Sequence, residues 1–259
     1  MSFVSQLWRS SLGKKYIMGV SGFVLVFFIF THMMGNFQMF FGPYWINTYG
    51  QFLHDRHEVI WPARIVLLTM VVLHIWSAVR LWAENRKARM VGYANDPPAF
   101  AATYASRTIM MSGLIVGAFI TYHVMHYAIE VPAVNLLKDP LGMKAESLKT
   151  VDFRLLRDEG GRPDIFTMIV LGFSHPLVAV FYLLALLLLC LHLSHGMRAM
   201  FQSVGWNWTF GGVPHLPNLI AKWGAVLIFI IYASIPLAVL CGYGRDYARQ
   251  SLERYVATH

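Results

Sequence analysis

The sequence predicts an all-α integral membrane protein, a bundle of five transmembrane helices. Hydrophobic residues make up 57% of the 259 positions and charged residues only 13%, and the mean hydropathy is +0.51. A soluble domain carries about 25% charged residues, so this chain has too few polar side chains to cover a water-facing surface. Its apolar residues are also gathered into five runs of about 20 residues or more, the length that crosses the hydrocarbon core of a bilayer.

Each of the five apolar runs predicts one membrane span, and the five spans together predict a single membrane domain. Pro176 fits the first turn of the fourth span, where a missing N–H costs nothing. Pro236 predicts a kink in the fifth span, and Gly242 with Gly244 predicts its end. The predicted spans are 16–41, 61–82, 108–129, 176–201 and 220–241, and the predicted domain is 1–259.

The connections between the spans differ in length and charge. Residues 42–60, 83–107 and 202–219 are predicted loops. The stretch 130–175 is long and, over 138–164, dense in charges of both signs. We expect it to form an ordered extramembrane excursion with room for a short surface helix.

Charge placement indicates a lipid environment and excludes nucleic-acid binding. The net charge is +8, but the Lys and Arg residues lie mainly at the ends of apolar runs, where they meet lipid headgroups. Cations cluster directly after the second span, which favours a cytoplasmic N-terminus in a cell (inner) membrane. The first run is too long for a signal peptide. Cys190 and Cys241 lie inside apolar runs, so no disulfide framework is expected.

Histidines inside the spans are the main functional signal. Ionisable groups in the bilayer interior are costly and are usually functional. One membrane histidine alone is as readily a neutral hydrogen-bonding residue between helices, so the argument depends on their joint placement. Six of the eleven histidines lie in predicted spans, namely His32, His74, His123, His126, His192 and His195.

Four of these histidines fall at two predicted depths. His32 lies 17 residues after Lys15, and His123 lies 16 residues after Arg107. At about 1.5 Å per residue, both are about 24–26 Å above the inner basic anchors.

The second and fourth spans run from the outer side to the inner side, and their histidines lie at the other depth. His74 precedes Arg80 by six residues, and His192 precedes Arg198 by six residues. Both histidines therefore lie about 9 Å above the inner edge, so the two levels are about 15 Å apart. Two imidazoles facing each other at each level suit bis-histidine ligation of a b-type haem, which is six-coordinate and transfers electrons.

The choice of ligand within two of the spans stays open from spacing alone. His123 and His126 share one helix face, and so do His192 and His195. Depth favours His123 and His192 as ligands. His126 and His195 are second choices, either as ligands or as neighbours of the ligands or of the haem propionates.

These residues resemble those of a known family, the di-haem cytochrome b anchors of succinate:quinone oxidoreductases, in the single-subunit five-helix type. The resemblance covers nearly the whole chain. It is carried by the segments His32-Met-Met-Gly-Asn36, Tyr122-His123-Val124 and His192-Leu-Ser-His-Gly196, by Gly205-Trp206, and by His74 on the second span.

The resemblance implies two haems, a quinone substrate and two partner subunits. His32 and His123 would hold the iron of the distal haem, and His74 and His192 that of the proximal haem. A flavoprotein subunit and an iron–sulfur subunit would dock on the cytoplasmic face. Electrons would pass between the iron–sulfur clusters and menaquinone or ubiquinone. Arg80 and Arg198, near the inner surface, are docking or propionate contacts or, equally, interfacial anchors.

Quinone reduction also requires proton transfer, because two electrons and two protons enter the ring. In fumarate reductases of this type, an acidic residue near the outer end of the second span is given this role, so the resemblance implies such a residue here. The candidates here are Asp55, His57 and Glu58, just before Trp61. The alternative interpretation is that these three residues are ordinary solvated side chains of a loop, without a role in proton transfer.

Three other classes share parts of this pattern. A cytochrome b subunit of a membrane hydrogenase or formate dehydrogenase also uses bis-histidine haems. A histidine-bearing transporter would carry buried acids in its spans, which the cores of these spans lack. A membrane di-iron oxygenase is suggested by three H-x-x-H pairs, at His54/His57, His123/His126 and His192/His195.

Overall fold

The computed structural model describes residues 7–87, 108–131, 141, 151–203, 205 and 216–258. Within these residues all regular structure is helical and no strand occurs, which confirms the all-α prediction. The helices are α1 (Ser11–Phe37), α2 (Pro43–His54), α3 (His57–Lys87), α4 (Ile109–His123), α5 (Ile165–Ser174), α6 (Pro176–Ser203), α7 (Leu216–Leu240) and α8 (Arg245–Thr258).

Five helical segments are long and apolar enough to cross a membrane, as predicted: α1, α3, α6 and α7, and α4 together with the turn that continues it to Ala128. Several extend beyond the predicted bounds. α3 begins at His57 and ends at Lys87, although its apolar run covers only 61–82. Hydropathy marks the part of a helix that faces hydrocarbon, whereas the backbone hydrogen bonds continue into the headgroup region.

The third span changes helical type at its end. The α-helical part of α4 ends at His123, and a π-helical turn follows over Val124–Ala128. The Ile129 N–H donates to the Val124 carbonyl at 2.8 Å, five residues back. π-helical turns are rare in proteins, and those that do occur are often found at functional sites.

Three helices were not placed by the sequence patterns. The prediction of 42–60 as a loop was wrong, because α2 occupies it after Gly42, which has φ 104°, with Pro43 in its first turn. Helix α8 occupies the segment after the fifth span. The excursion contains α5, but this helix is buried from Phe166 to Phe173 rather than lying on the surface.

The end of the fifth span agrees with the prediction. α7 ends at Leu240, and both Gly242 and Gly244 have positive φ, at 102° and 79°. Pro236 lies inside α7, where the helix is continuous. Much of the predicted loops 83–107 and 202–219, together with Trp206, lies outside the described residues.

The chain divides into two compact units. That these units form one membrane domain remains a prediction from the sequence. The first unit comprises Met1–Phe30, Trp61–Ser112 and Cys190–Val226. In this unit an ion pair links α1 to α3. It is formed by Lys14, which is almost fully buried near the start of α1, and Glu84 of α3.

The second unit comprises Thr31–Ile60, Gly113–Leu189 and Leu227–His259. In it α2, α5 and α8 pack together around a buried polar network. The Asn47 side chain donates to Asp158 at 3.3 Å and to Asp164 at 3.2 Å, and it accepts from the Phe166 N–H at 3.0 Å. Ser251 of α8 also donates to Asp164. The network joins the three helices to the segment that precedes α5.

Candidate functional site

The first unit brings His74 of α3 and His192 of α6 together. Their ring centroids are 6.3 Å apart and their planes meet at 65°. Each ring has a serine hydroxyl beside its Nδ1. The Ser21 Oγ of α1 lies 3.3 Å from His74 Nδ1, and the Ser112 Oγ of α4 lies 3.4 Å from His192 Nδ1. We call these two histidines the serine-lined pair.

The second unit brings His32 of α1 and His123 of α4 together. Their ring centroids are 5.7 Å apart and their planes meet at 80°. Aromatic rings surround them, so we call these two histidines the aromatic-lined pair. The neighbouring rings, at centroid distances of 5.8 to 6.2 Å, are Tyr232 beside His32 and Phe119, Tyr127 and Tyr182 beside His123.

The nitrogens of the aromatic-lined pair have unequal partners. The Asn36 amide nitrogen lies 3.1 Å from His32 Nε2. The Nδ1 of His123 is buried and has no hydrogen-bond partner within the described residues. Coordination of a metal through His32 Nε2 therefore requires the Asn36 side chain to turn away.

Both pairs fit the spacing of two axial ligands on one iron. An imidazole nitrogen lies about 2.0 Å from a bound transition metal, and a ring built of bonds near 1.33 Å has its centroid about 1.1 Å beyond that nitrogen. Two such rings on opposite sides of a metal have centroids about 6 Å apart. The observed 6.3 and 5.7 Å agree with this value.

The second-choice histidines have other neighbours. His126 is 2% exposed, its ring stacks on Tyr127 at 4.0 Å, and its Nδ1 lies 3.1 Å from the Tyr182 hydroxyl. His195 is half-buried one turn beyond His192. The rings that face His32 and His74 are those of His123 and His192, the first-choice residues.

Neither pair forms a complete metal site by itself. Within the described part of the chain, no three His, Cys, Asp or Glu side chains come together as a metal-binding group. Two imidazoles would hold an iron only together with further donors, which the macrocycle of a haem would supply. A haem, and not a bare metal ion, is therefore the group that these residues could hold.

The three candidates for quinone protonation lie where α2 gives way to α3. Asp55 follows α2 and accepts from the Gln51 amide at 2.6 Å. His57 and Glu58 were expected in a loop before the second span, but they form the first turn of α3. All three side chains are exposed. Because α3 begins earlier than predicted, Glu58 is an acid within the second membrane-spanning helix itself.

A further acid follows the π-turn of the third span. Glu130 has φ 56°, a left-handed backbone conformation that is uncommon outside glycine. Partial burial, with the nearby Asp152 carboxylate, raises the pKa of Glu130 above its ordinary value. Hydrogen bonds from Arg154 lower the pKa of Asp152.

Sequence reasoning missed the residues that touch the histidine rings. Ser21 and Ser112 were overlooked, although a signal existed, because the pattern Ser-Gly-x9-His occurs once in α1 and once in α4. Tyr182 carries no such signal, since a tyrosine in a 28-residue apolar helix can face lipid or protein.

Comparisons of the chain with protein-family models, with curated proteins and with solved structures gave no match.

Proposed function

We propose that this chain is the membrane anchor and electron-transfer subunit of a succinate dehydrogenase or fumarate reductase, with two b haems between its iron–sulfur partner and a membrane quinone. One observation carries the proposal. Two separate pairs of imidazoles, from four membrane-spanning helices, each lie at the spacing that two axial ligands of one iron require.

The chain's own residues would bind and orient the two groups. The aromatic-lined pair would hold one haem and the serine-lined pair the other, each by one imidazole from each of two helices. When bound, a b haem held by two histidines would supply one-electron transfer. The apolar faces of the helices exclude water, and neutral imidazoles suit this environment because charge is costly there.

Proton transfer to the quinone would fall to groups at the start of α3. Asp55, His57 and Glu58 are exposed and can exchange protons with water. Substitution of Glu58 by Gln removes the only one of the three that is an acid within a membrane-spanning helix. Slower quinone turnover at unchanged haem reduction would support this role, and unchanged turnover in the Asp55→Asn, His57→Gln and Glu58→Gln variants would remove it.

Partner docking is proposed on the cytoplasmic face, with the N-terminus on that side. The flavoprotein and iron–sulfur subunits would contact this surface, to which Arg80 and Arg198 contribute a cation each. Arg80 is exposed and Arg198 is half-buried. Both positions equally suit interfacial anchoring.

A haem determination on the purified chain tests the proposal directly. We expect a reduced-minus-oxidised spectrum with low-spin b-type bands and two haems per chain. Alanine at any one of His32, His74, His123 or His192 should remove one haem, whereas His126→Ala and His195→Ala are matched controls in the third and fourth spans and should retain both. A haem-free wild-type protein, or full haem content in all four ligand variants, would contradict the proposal.

Copurification then separates this proposal from the related cytochromes. An anchor of this class should copurify with a flavin-bearing and an iron–sulfur subunit and reduce quinone with succinate or oxidise quinol with fumarate. Copurification with a hydrogenase or formate dehydrogenase subunit would favour that alternative. Two non-haem irons and no haem would favour the di-iron oxygenase.

A further inference from the structure

The hydroxyls of Ser21 and Ser112 occupy equivalent positions beside the two rings of the serine-lined pair. Each serine is on a neighbouring membrane-spanning helix, and each Oγ lies 3.3 to 3.4 Å from a histidine Nδ1. The local sequence is also repeated, because each serine is followed by glycine and lies 11 residues before a histidine of the aromatic-lined pair. Two unrelated contacts would not be expected to share both features.

The proton count at each serine fixes the direction of these hydrogen bonds. A serine hydroxyl has one proton and two lone pairs. The Ser21 Oγ–H already donates to the backbone, with the Ile17 carbonyl at 2.7 Å and the Met18 carbonyl at 3.2 Å. Its lone pair is then the group that faces the imidazole, so the His74 Nδ1 is the donor.

The same arrangement occurs at the second ring. The Ser112 Oγ–H donates to the Ile109 carbonyl at 3.0 Å, three residues back, and its lone pair faces His192 Nδ1. Both imidazoles are therefore held as the Nδ1–H tautomer, which leaves the Nε2 lone pair for a metal. An acceptor at Nδ1–H also makes an imidazole a stronger electron donor at Nε2.

Close packing reinforces the position of one ring. A Cβ added at Gly22, the residue after Ser21, would lie 3.2 Å from His74 Cε1 and 3.5 Å from its Nδ1. The absence of a side chain at this position lets α1 approach the ring and brings the Ser21 hydroxyl within hydrogen-bond reach.

We infer that Ser21 and Ser112 are positioning residues that set the tautomer, the orientation and the donor strength of the serine-lined pair, and so lower the reduction potential of the haem held there. This inference rests on the proposed function. In the aromatic-lined pair the Nδ1 of His123 lacks a hydrogen-bond partner within the described residues, so this ring has no acceptor like those of His74 and His192. The two haems should therefore differ in potential, with the serines contributing to the difference.

Redox titration of the haem-loaded chain tests the inference. Ser21→Ala and Ser112→Ala remove the hydroxyl acceptor and leave only the backbone contacts, of Met18 with His74 and of Ile109 with His192. The potential of one haem should therefore rise, while the other is unchanged. We expect the ratio of reduced to oxidised haem at fixed ambient potential to increase at least threefold, which is about 28 mV at 59 mV per tenfold change for one electron. The electron paramagnetic resonance signal of the same haem should shift, because it reports the orientation of the two axial rings.

Conservative and matched variants separate positioning from folding. Ser21→Thr and Ser112→Thr keep the hydroxyl and should restore the wild-type potential. Ser234→Ala is the matched control, because the Ser234 Oγ donates to the Ile231 carbonyl at 2.7 Å in the same way but belongs to α7 in the second unit. Loss of one haem in the alanine variants but not in the threonine variants would equally support the inference.

Three results would overturn it. Wild-type potentials and resonance signals in both alanine variants would show that the hydroxyls do not act on the haem. Equal loss of haem in the alanine and threonine variants would show that side-chain size, and not hydrogen bonding, matters there. A wild-type chain without haem would remove the proposed function and this inference together, whereas the first two results leave the proposed function intact.

Discussion

The two histidine pairs each join two membrane-spanning helices but are supported in different ways. The serine-lined pair has a hydroxyl at each Nδ1 and one glycine packed against a ring. The aromatic-lined pair is surrounded by tyrosine and phenylalanine rings, and its His123 Nδ1 has no hydrogen-bond partner in the part of the chain that the structure describes. The hydrogen bonds at His74 and His192 fix both the direction and the tautomer of each imidazole, whereas the aromatic packing around His123 fixes only the direction of its ring.

The surroundings of the two pairs extend this contrast. The second unit adds the network around Asn47 and the π-turn after His123 to its aromatic cluster. In the first unit, the ion pair between Lys14 and Glu84 links the start of α1 to α3. Perturbation of the second unit should therefore act on the aromatic-lined pair through packing, and perturbation of the first unit should act on the serine-lined pair through a few contacts.

The largest effect is expected from Asn47→Ala. This change removes one donor from the Asp158 and Asp164 carboxylates, which keep Arg162 and Ser251 as partners, and leaves the Phe166 N–H without its side-chain acceptor. The loss of these three buried hydrogen bonds should cost about 2–4 kcal/mol in the free energy of unfolding. Thermal unfolding of the detergent-solubilised chain should occur at lower temperature, and the haem at the aromatic-lined pair should be lost first. Gln51→Ala, in the same helix but only partly buried, is the control. Equal loss of both haems would contradict the distinction between the units.

A steric change in the second unit should have the next largest effect. In Gly172→Ala the new Cβ would overlap the Tyr127 hydroxyl, at 2.0 Å, and come within 3.2 Å of His126 Cε1. Overpacking of this kind costs about 1–3 kcal/mol. The spectrum of the haem at the aromatic-lined pair should change. Gly117→Ala meets no atom within 4 Å and should leave that spectrum unchanged.

A milder steric change tests the serine-lined pair. Gly22→Ala would place its Cβ 3.2 Å from His74 Cε1, whereas Gly19→Ala in the same helix meets nothing within 4 Å. Both changes gain about 0.5–1 kcal/mol of helix propensity, so their stabilities should be similar. Only Gly22→Ala should shift the potential and resonance signal of the haem at the serine-lined pair. A shift in both variants would point to the backbone of α1 instead of the ring contact.

The smallest effect concerns the acid after the π-turn. The pKa of Glu130 is raised, so the folded chain holds this proton more tightly than the unfolded chain, and stability falls as pH rises from the ordinary value of 4.5 towards the raised one. Glu130→Gln should remove this fall, which we expect to be below about 1 kcal/mol because the group is partly solvated. Unfolding measured from pH 4 to 7, with the exposed Glu159→Gln as control, would detect it. An unchanged pH profile would contradict the raised pKa.

The sequence by itself determined the fold class and the positions of the spans. A segment that crosses the hydrocarbon core of a bilayer must be apolar along its length, and such long runs are visible in a single sequence without knowledge of any contact. The same physics made histidines inside the runs informative, because an ionisable group there is costly. The fixed rise per residue of a helix was enough to match His32 with His123 and His74 with His192 by depth alone.

Only the tertiary structure decided what surrounds those histidines. Helices α2, α5 and α8 are outside the long apolar runs, so hydropathy gave no boundary for them. α5 is buried, with α2 and α8 among the helices packed against it. Ser21, Ser112 and Tyr182 are ordinary residues of apolar helices, and their contacts depend on the rotation of one helix against another. That rotation is set by side-chain packing between helices distant in sequence, which no local pattern encodes.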